Sequence, residues 1–320
     1  MLAGDRVALA RLITVVENRS GPSPLIMSRI YGRCGRAYVI GITGPPGAGK
    51  STLTDRLVAR ARSEECTAAV IAVDPSSPFS GGAVLGDRIR MQSHFLDPGV
   101  FIRSVSSRGS HGGVARSTRD LMRLLDAFGF ELIIIETVGV GQTELDVMGI
   151  ADTTVVVLVP EGGDAIQVMK AGLLEIADIF VVNKADRPGA ERMQNDLEAM
   201  LQLRGKSPWT IPVLLTEGTK DGGTDTLWQT VGTHREYREG EKARSQDGAK
   251  RRESELLDVL DEELRRRVRS KLAHPPVGDG LAGLIEAVRS GTVDPYSAAL
   301  EILADSKRIA ALLEAPDPSR

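Results

Sequence analysis

The run Tyr38-Val39-Ile40-Gly41-Ile42-Thr43 passes directly into Gly44-Pro45-Pro46-Gly47-Ala48-Gly49-Lys50-Ser51, and this junction decides the fold. The first six residues are apolar or β-branched and do not alternate with polar ones, as in a strand covered on both faces. The next eight satisfy G-x-x-x-x-G-K-[ST]. Gly44, Gly47 and Gly49 let the backbone curl so that several N–H groups point at one anion. A helix starting near Lys50 adds its positive end. Lys50 is placed to reach the β- and γ-phosphates of a nucleotide, and Ser51 to offer its hydroxyl to Mg²⁺, which prefers hard oxygen ligands. Pro45, Pro46, Ala48 and Thr52 complete the wall of the expected phosphate cradle.

Working outward, similar Val- and Ile-rich runs recur at 68–73, 132–135, 155–159, 179–182 and 211–215, separated by helical patterns. Strands alternating with helices predict an α/β fold, a P-loop domain with a doubly wound, mostly parallel sheet. Its ligands sit beyond the carboxyl ends of the strands. We assign residues 37–232 to this domain. Residues 1–36 read as a helical extension closed by the turn residues Gly21, Pro22, Ser23 and Pro24. Residues 233–320 read as a charged helical region. There Leu257, Leu260, Leu264, Val268 and Leu272 recur at helical spacing. That stripe fits either packing on its own domain or a dimerisation arm. The polar stretch 238–250 is the expected flexible segment.

Further chemistry falls at the predicted strand ends. Glu136 follows Ile133-Ile134-Ile135 and can hold a metal-bound water. Gly139, in Thr137-Val138-Gly139, can lend its N–H to a γ-phosphate, as a switch loop does. Asp74, ending the second run, and Asp87, in Gly86-Asp87-Arg88, are candidates for metal binding or for orienting the attacking water. Both also fit ordinary turn chemistry. Asn183-Lys184-Ala185-Asp186 closes the run at 179–182. The Asp186 carboxylate can accept both guanine donors, at N1 and N2. Adenine offers a lone pair at N1 and no amino group at C2, so it would leave that carboxylate unpaired. Asn183 can bridge base and phosphate loop, and the Lys184 stem can lie on the purine face. Thr216, after the next run, stands where a supporting base contact belongs. These features predict a Mg²⁺-dependent GTP hydrolase.

Composition bounds the partners. The chain has 320 residues, 42% hydrophobic and 26% charged, with a net charge of −3. This gives enough apolar material for a core and no basic field for nucleic acid. No apolar run reaches the length of a membrane span, and the amino terminus lacks the apolar centre of a secretory signal. Two isolated cysteines, Cys34 and Cys66, point to a reducing compartment, and we expect a cytoplasmic protein.

G-I-T-G-P-P-G-A-G-K-S-T-L, V-D-P-S-S-P, L-G-D-R-I-R-M, E-T-V-G-V-G-Q and V-N-K-A-D, with D-P-Y-S-A-A at Asp294 to Ala299, resemble the methylmalonyl-CoA mutase-associated GTPase family over nearly the whole chain. Older names for relatives are arginine/ornithine transport kinases. The resemblance implies that Lys50, Ser51, Asp74, Asp87 and Glu136 serve phosphate and Mg²⁺, and that Asn183, Lys184 and Asp186 read guanine. It implies an extra switch loop at 161–172 containing Asp164 and Lys170. It also implies a homodimer made by the C-terminal helices, and a role as chaperone of a cobalamin-dependent acyl-CoA mutase, gating cofactor delivery and protecting the mutase. The segment 216–223 (T-E-G-T-K-D-G-G) departs from the Ser-Ala or Ser-Gly base loop of that family. Two other functions share the motif set. A nickel metallochaperone GTPase would call for clustered Cys or His, and the four histidines are scattered. A kinase of a transport protein would call for an acceptor-activating motif beyond the hydrolysis carboxylates.

Overall fold

The computed structural model describes residues 1–18, 22–75, 91–107, 113–137, 139, 145, 148–160, 172–205, 208–244, 247–273 and 280–313. Among them, seven strands form one sheet: β1 (Tyr38–Thr43), β2 (Ala68–Pro75), β3 (Val100–Ser107), β4 (Leu132–Thr137), β5 (Thr153–Leu158), β6 (Ile179–Asn183) and β7 (Val213–Thr216). Their order is β3-β2-β4-β1-β5-β6-β7, and every pairing is parallel. The sheet is therefore doubly wound as expected, with β1 flanked by β4 and β5.

The sequence reading had six strands, and β3 is the addition. Its residues V-F-I-R-S-V-S-S are too polar to resemble the buried runs. The physical reason is its place at the sheet edge: among the described residues it pairs with β2 alone, and residues 101–104 stay partly exposed. Arg103 pairs with Glu17 there, and Arg6 donates to the Pro98 carbonyl at 3.0 Å. The amino-terminal helix thus supplies polar partners beside the edge strand.

The uninterrupted apolar runs are explained by helices on both faces. Ile40, Ile42, Val70, Ile134, Val155 and Val157 pack with Leu53, Leu57 and Val58 of α3 (Lys50–Ser63). Val39, Ile71 and Ile133 point the other way, onto Leu9 and Ile13 of α1 (Arg6–Glu17) and Leu121, Leu124 and Leu125 of a later helix, Gly113–Phe128. Between these lies α2 (Ser23–Ile30), so the later helix is α4. Among the described residues, α5 (Leu173–Ile176) and α6 (Ala190–Leu203) come next. Asp5 caps α1 by accepting from the Val7 and Ala8 amides at 2.8 and 3.1 Å, which satisfies two otherwise orphaned donors.

The chain divides into two compact units, 1–240 and 241–320. The border lies within α7 (Thr224–Arg244), eight residues beyond the expected position at 232, and the first unit includes the amino-terminal helices. The second unit holds α8 (Asp247–Ala273), α9 (Leu281–Arg289), α10 (Pro295–Ala304) and α11 (Ser306–Leu313). The stretch 238–250, expected as a flexible segment, is helical wherever it is described, because α7 and α8 both extend into it. The Asp-Pro pair at 294–295 opens α10: Asp294 accepts from the Tyr296 and Ser297 amides, and proline fits the first turn. No helix among the described residues is long and apolar enough to cross a membrane.

Candidate functional site

The site lies at the carboxyl ends of β1, β4 and β6. Gly44 leaves β1 at φ 146° and forms an antiparallel bridge with Gly139. A side chain is excluded there, because a Cβ on Gly44 would fall 2.0 Å from the Val157 carbonyl oxygen. Gly47 and Gly49 adopt φ of 76° and 89°. Gly49 then caps α3, so the helix begins at Lys50 with its amide donors facing the loop. The Lys50 ammonium donates to the Gly44 and Pro45 carbonyls, each at 2.9 Å, which folds the side chain back over the loop it serves. Pro46 and Gly47 are exposed, leaving the cradle open.

Glu136 is buried at 2% exposure. Burial of a carboxylate is costly unless its oxygens are satisfied. Here the Ser51 hydroxyl donates to Oε1 at 2.5 Å and the Thr54 hydroxyl to Oε2 at 3.0 Å. Thr54, one turn after Ser51 on α3, did not stand out in the sequence. Its spacing of three from Ser51 was the available signal, since it puts both hydroxyls on one helix face. A second hydroxyl relay anchors the loop that follows Glu136: Thr137 donates to Thr43 at 2.9 Å, and Thr43 to the Gly139 carbonyl at 3.1 Å. These bonds hold Gly139 against the first glycine of the phosphate loop.

Asp74 sits at the carboxyl end of β2, two residues past Ala72, which is in register with Glu136. The Ser51 hydroxyl and the Glu136 carboxylate, held together at 2.5 Å, are hard-oxygen groups that fit Mg²⁺. Asp87 lies outside the described residues, as do Asp164 and Lys170.

The base end is built on Asn183, the last residue of β6, which is 3% exposed. Its Nδ2 donates to the Ala48 carbonyl at 2.8 Å. Its Oδ1 accepts from the Thr216 hydroxyl at 3.0 Å and from the Gly218 amide at 3.1 Å. The side-chain amide thereby ties the phosphate loop to the segment after β7. Asn183 also explains Gly49, where a Cβ would lie 2.3 Å from Nδ2. Thr216 is buried, and its hydroxyl holds Asn183. Lys184 takes the left-handed conformation at φ 58°, uncommon outside glycine, which turns the chain sharply after the strand. Asp186 follows in that turn and is exposed, open to a ligand.

The chain is similar to known proteins over most of its length. The profile of the Methylmalonyl Co-A mutase-associated GTPase MeaB family matches residues 9–273. A protein of Pyrococcus abyssi, provisionally named a GTPase, is 47% identical over 307 residues, covering 95% of this chain and 94% of that one. The fused isobutyryl-CoA mutase of Cupriavidus metallidurans is 38% identical over 241 residues, which are 72% of this chain and 22% of that longer protein. The crystal structure of an LAO/AO transport system kinase is similar with a TM-score of 0.58 and 27% identity, over 94% of this chain and 93% of that one.

Proposed function

Because the chain belongs to the methylmalonyl-CoA mutase-associated GTPase family, and is therefore a P-loop GTPase, we propose that its GTP cycle acts as a chaperone switch for a cobalamin-dependent acyl-CoA mutase. The observation that carries the mutase reading is that a stretch similar to this chain forms part of the polypeptide of a fused isobutyryl-CoA mutase. There the similar stretch and the mutase share one polypeptide. The switch would gate cofactor delivery and protect the mutase.

In this reading each residue has a definite task. The amides of the loop from Gly44 to Ser51 and of Thr52 bind the phosphates, together with the Lys50 ammonium. Ser51, Asp74, Asp87 and Glu136 would hold Mg²⁺, whose charge offsets that of the β- and γ-phosphates. Glu136 and the two aspartates also orient the attacking water. Gly139, fixed against Gly44 through Thr43 and Thr137, would offer its N–H to the γ-phosphate. Asn183, Lys184 and Asp186 read guanine, and Thr216 supports them through Asn183. Loop 161–172, which follows β5 in the sequence, would carry the state of the site to the mutase through Asp164 and Lys170. The reading locates this cycle in the cytoplasm, in keeping with the thiols of Cys34 and Cys66. It also has the protein working as a homodimer built on α8.

The test is GTP turnover with and without a purified cobalamin-dependent acyl-CoA mutase from the same cell, with Lys50→Ala as the inactive control. Stimulation of hydrolysis is expected. Asp164→Ala or Lys170→Ala should reduce the stimulation more than GTP binding. Coupling must be reciprocal, so a mutase that prefers one nucleotide state tightens that nucleotide by the same factor. Absence of stimulation, together with absence of a nucleotide-dependent complex on gel filtration, removes the chaperone reading and leaves a GTPase with another client.

A further inference from the structure

Helix α3 starts in the phosphate loop, yet its second and third turns hold the segment at the base end. Arg56, six residues after Lys50, donates from Nε to the Gly218 carbonyl at 3.1 Å and from Nη2 to the Thr219 carbonyl at 3.3 Å. Arg60, one turn on, meets the Asp221 carboxylate at 2.6 Å and that of Asp225 at 3.0 Å. The held segment lies directly on the start of the helix. A Cβ on Gly218 would stand 3.3 Å from Leu53 Cδ2 and 3.4 Å from Thr52 Cγ2.

The segment is under conformational tension. Asp221 takes φ 62°, a left-handed conformation that costs a non-glycine residue free energy and persists only where its surroundings enforce it. Those surroundings are the Arg60 ion pair and the Thr224 hydroxyl, which donates to the Asp221 side chain.

These contacts close a ring. The Ala48 carbonyl accepts from Asn183, Asn183 accepts from the Gly218 amide, the Gly218 carbonyl accepts from Arg56, and Arg56 returns along α3 to Lys50 and the phosphate loop. The Gly218 residue is therefore gripped from both sides, its N–H by Asn183 and its C=O by Arg56. A planar guanidinium can hold two adjacent carbonyls in one geometry, which a lysine ammonium does as a point charge only.

We propose that Arg56 is a positioning residue for guanine selectivity: it fixes the 217–219 segment on α3, so that Asn183 and the base reader Asp186 keep their distance from the phosphate loop. This rests on the reading of Asn183 and Asp186 as the base end of the site. Arg56 meets the Gly218 and Thr219 carbonyls and, at 4.0 Å, the Asp221 carboxylate, all on the base-end segment. Its loss loosens the base end and leaves the phosphate end in place.

The experiment is titration of the full-length protein with GDP and ADP in Mg²⁺, together with steady-state GTP hydrolysis, for wild type, Arg56→Ala and Arg56→Lys. For Arg56→Ala we expect the GDP-over-ADP preference to fall roughly tenfold, KM for GTP to rise by a similar factor, and kcat at saturation to stay within about twofold. Arg56→Lys retains the stem and the charge and can satisfy one carbonyl, so its preference should lie between the two. Equal losses of GDP and ADP binding overturn the proposal, since they mean damage to the phosphate loop. An unchanged preference overturns it as well, as does a fall in kcat without a rise in KM. If Arg56→Ala fails to fold, Arg56→Lys decides: a reduced preference supports the latch and an unchanged one removes it. Asp186→Asn measured alongside separates the two levels. If it leaves nucleotide preference untouched, the base-site reading fails; if it shifts preference while both Arg56 variants do not, only the latch fails.

Discussion

At the scale of single residues, the site depends on buried polar groups having partners. Glu136 is tolerated inside because two hydroxyls from one helix face meet its two oxygens. Asn183 is tolerated because both ends of its amide are engaged. Asp186 differs: it is exposed, so its carboxylate is available to a ligand. Asp186→Asn should exchange the two acceptor oxygens for one acceptor and one donor. GTP affinity is expected to fall on the order of 100-fold, while xanthosine triphosphate, whose C2 oxygen accepts where guanine donates, gains affinity. Titration of both proteins with both nucleotides checks this, and unchanged GTP affinity in the variant would sink the base-site assignment. Asn183, Lys184 and Asp186 were legible in the sequence because the motif is contiguous and follows a buried run. Thr54 was not, because an isolated threonine in a helix carries no mark of the carboxylate it faces across 82 residues of chain.

At the scale of elements, α7 is fastened to the amino ends of the strands, opposite the nucleotide end, by a buried polar cluster. His234 is 1% exposed. Its Nδ1 is 2.7 Å from the Thr153 hydroxyl, which also meets the Tyr38 hydroxyl, and its Nε2 is 3.4 Å from the Asp178 carboxylate. Trp209 packs on the imidazole with centroids 4.6 Å apart. Burial, aided by the Arg238 charge and opposed by Asp152, lowers the His234 pKa to about 4. In the unfolded chain the ring takes a proton near its ordinary value of 6.5. Between those values the unfolded state binds more protons, so stability falls as pH drops below 6.5. The loss is about 2 kcal/mol by pH 5, at about 1.4 kcal/mol per pH unit. Asp178, whose pKa burial raises, gains stability as it protonates and opposes the trend. The measurement is therefore a difference: the fall in Tm from pH 7 to pH 5 should be steeper for wild type than for His234→Gln. Equal slopes would show that His234 does not carry the effect.

At the scale of the whole molecule, the second unit raises the question of assembly. Within it Leu256, Leu257, Leu260 and Leu264 of α8 are 58%, 61%, 48% and 44% exposed. A stripe of leucines at helical spacing left in water forgoes the free energy of burial, and contiguous apolar faces of this kind mark interaction surfaces. The homodimer reading assigns the stripe to a second copy of the chain. Light scattering at micromolar concentration should give twice the chain mass for the native protein, and the mass of one chain for Leu260→Lys combined with Leu264→Lys. A native protein already monomeric would remove the dimer from the proposal.

The amino-acid sequence by itself determined what depends on neighbours in the chain. The phosphate loop is written in three glycines whose positive φ angles are needed within six residues. The parallel sheet is written in runs apolar enough for burial on both faces, and the start of α10 in a capping aspartate and a proline. Tertiary structure decided what depends on the order and register of strands. It made β3 a strand, because an edge with a single neighbour accepts Arg103 and serines that a central strand would not. It placed the end of the first unit within α7. It turned Thr216 toward Asn183, and it brought Arg56 to a carbonyl 162 residues away. Local pattern fixes which face of an element is buried. It does not fix which distant element that face meets, because that choice belongs to the packing of the whole sheet.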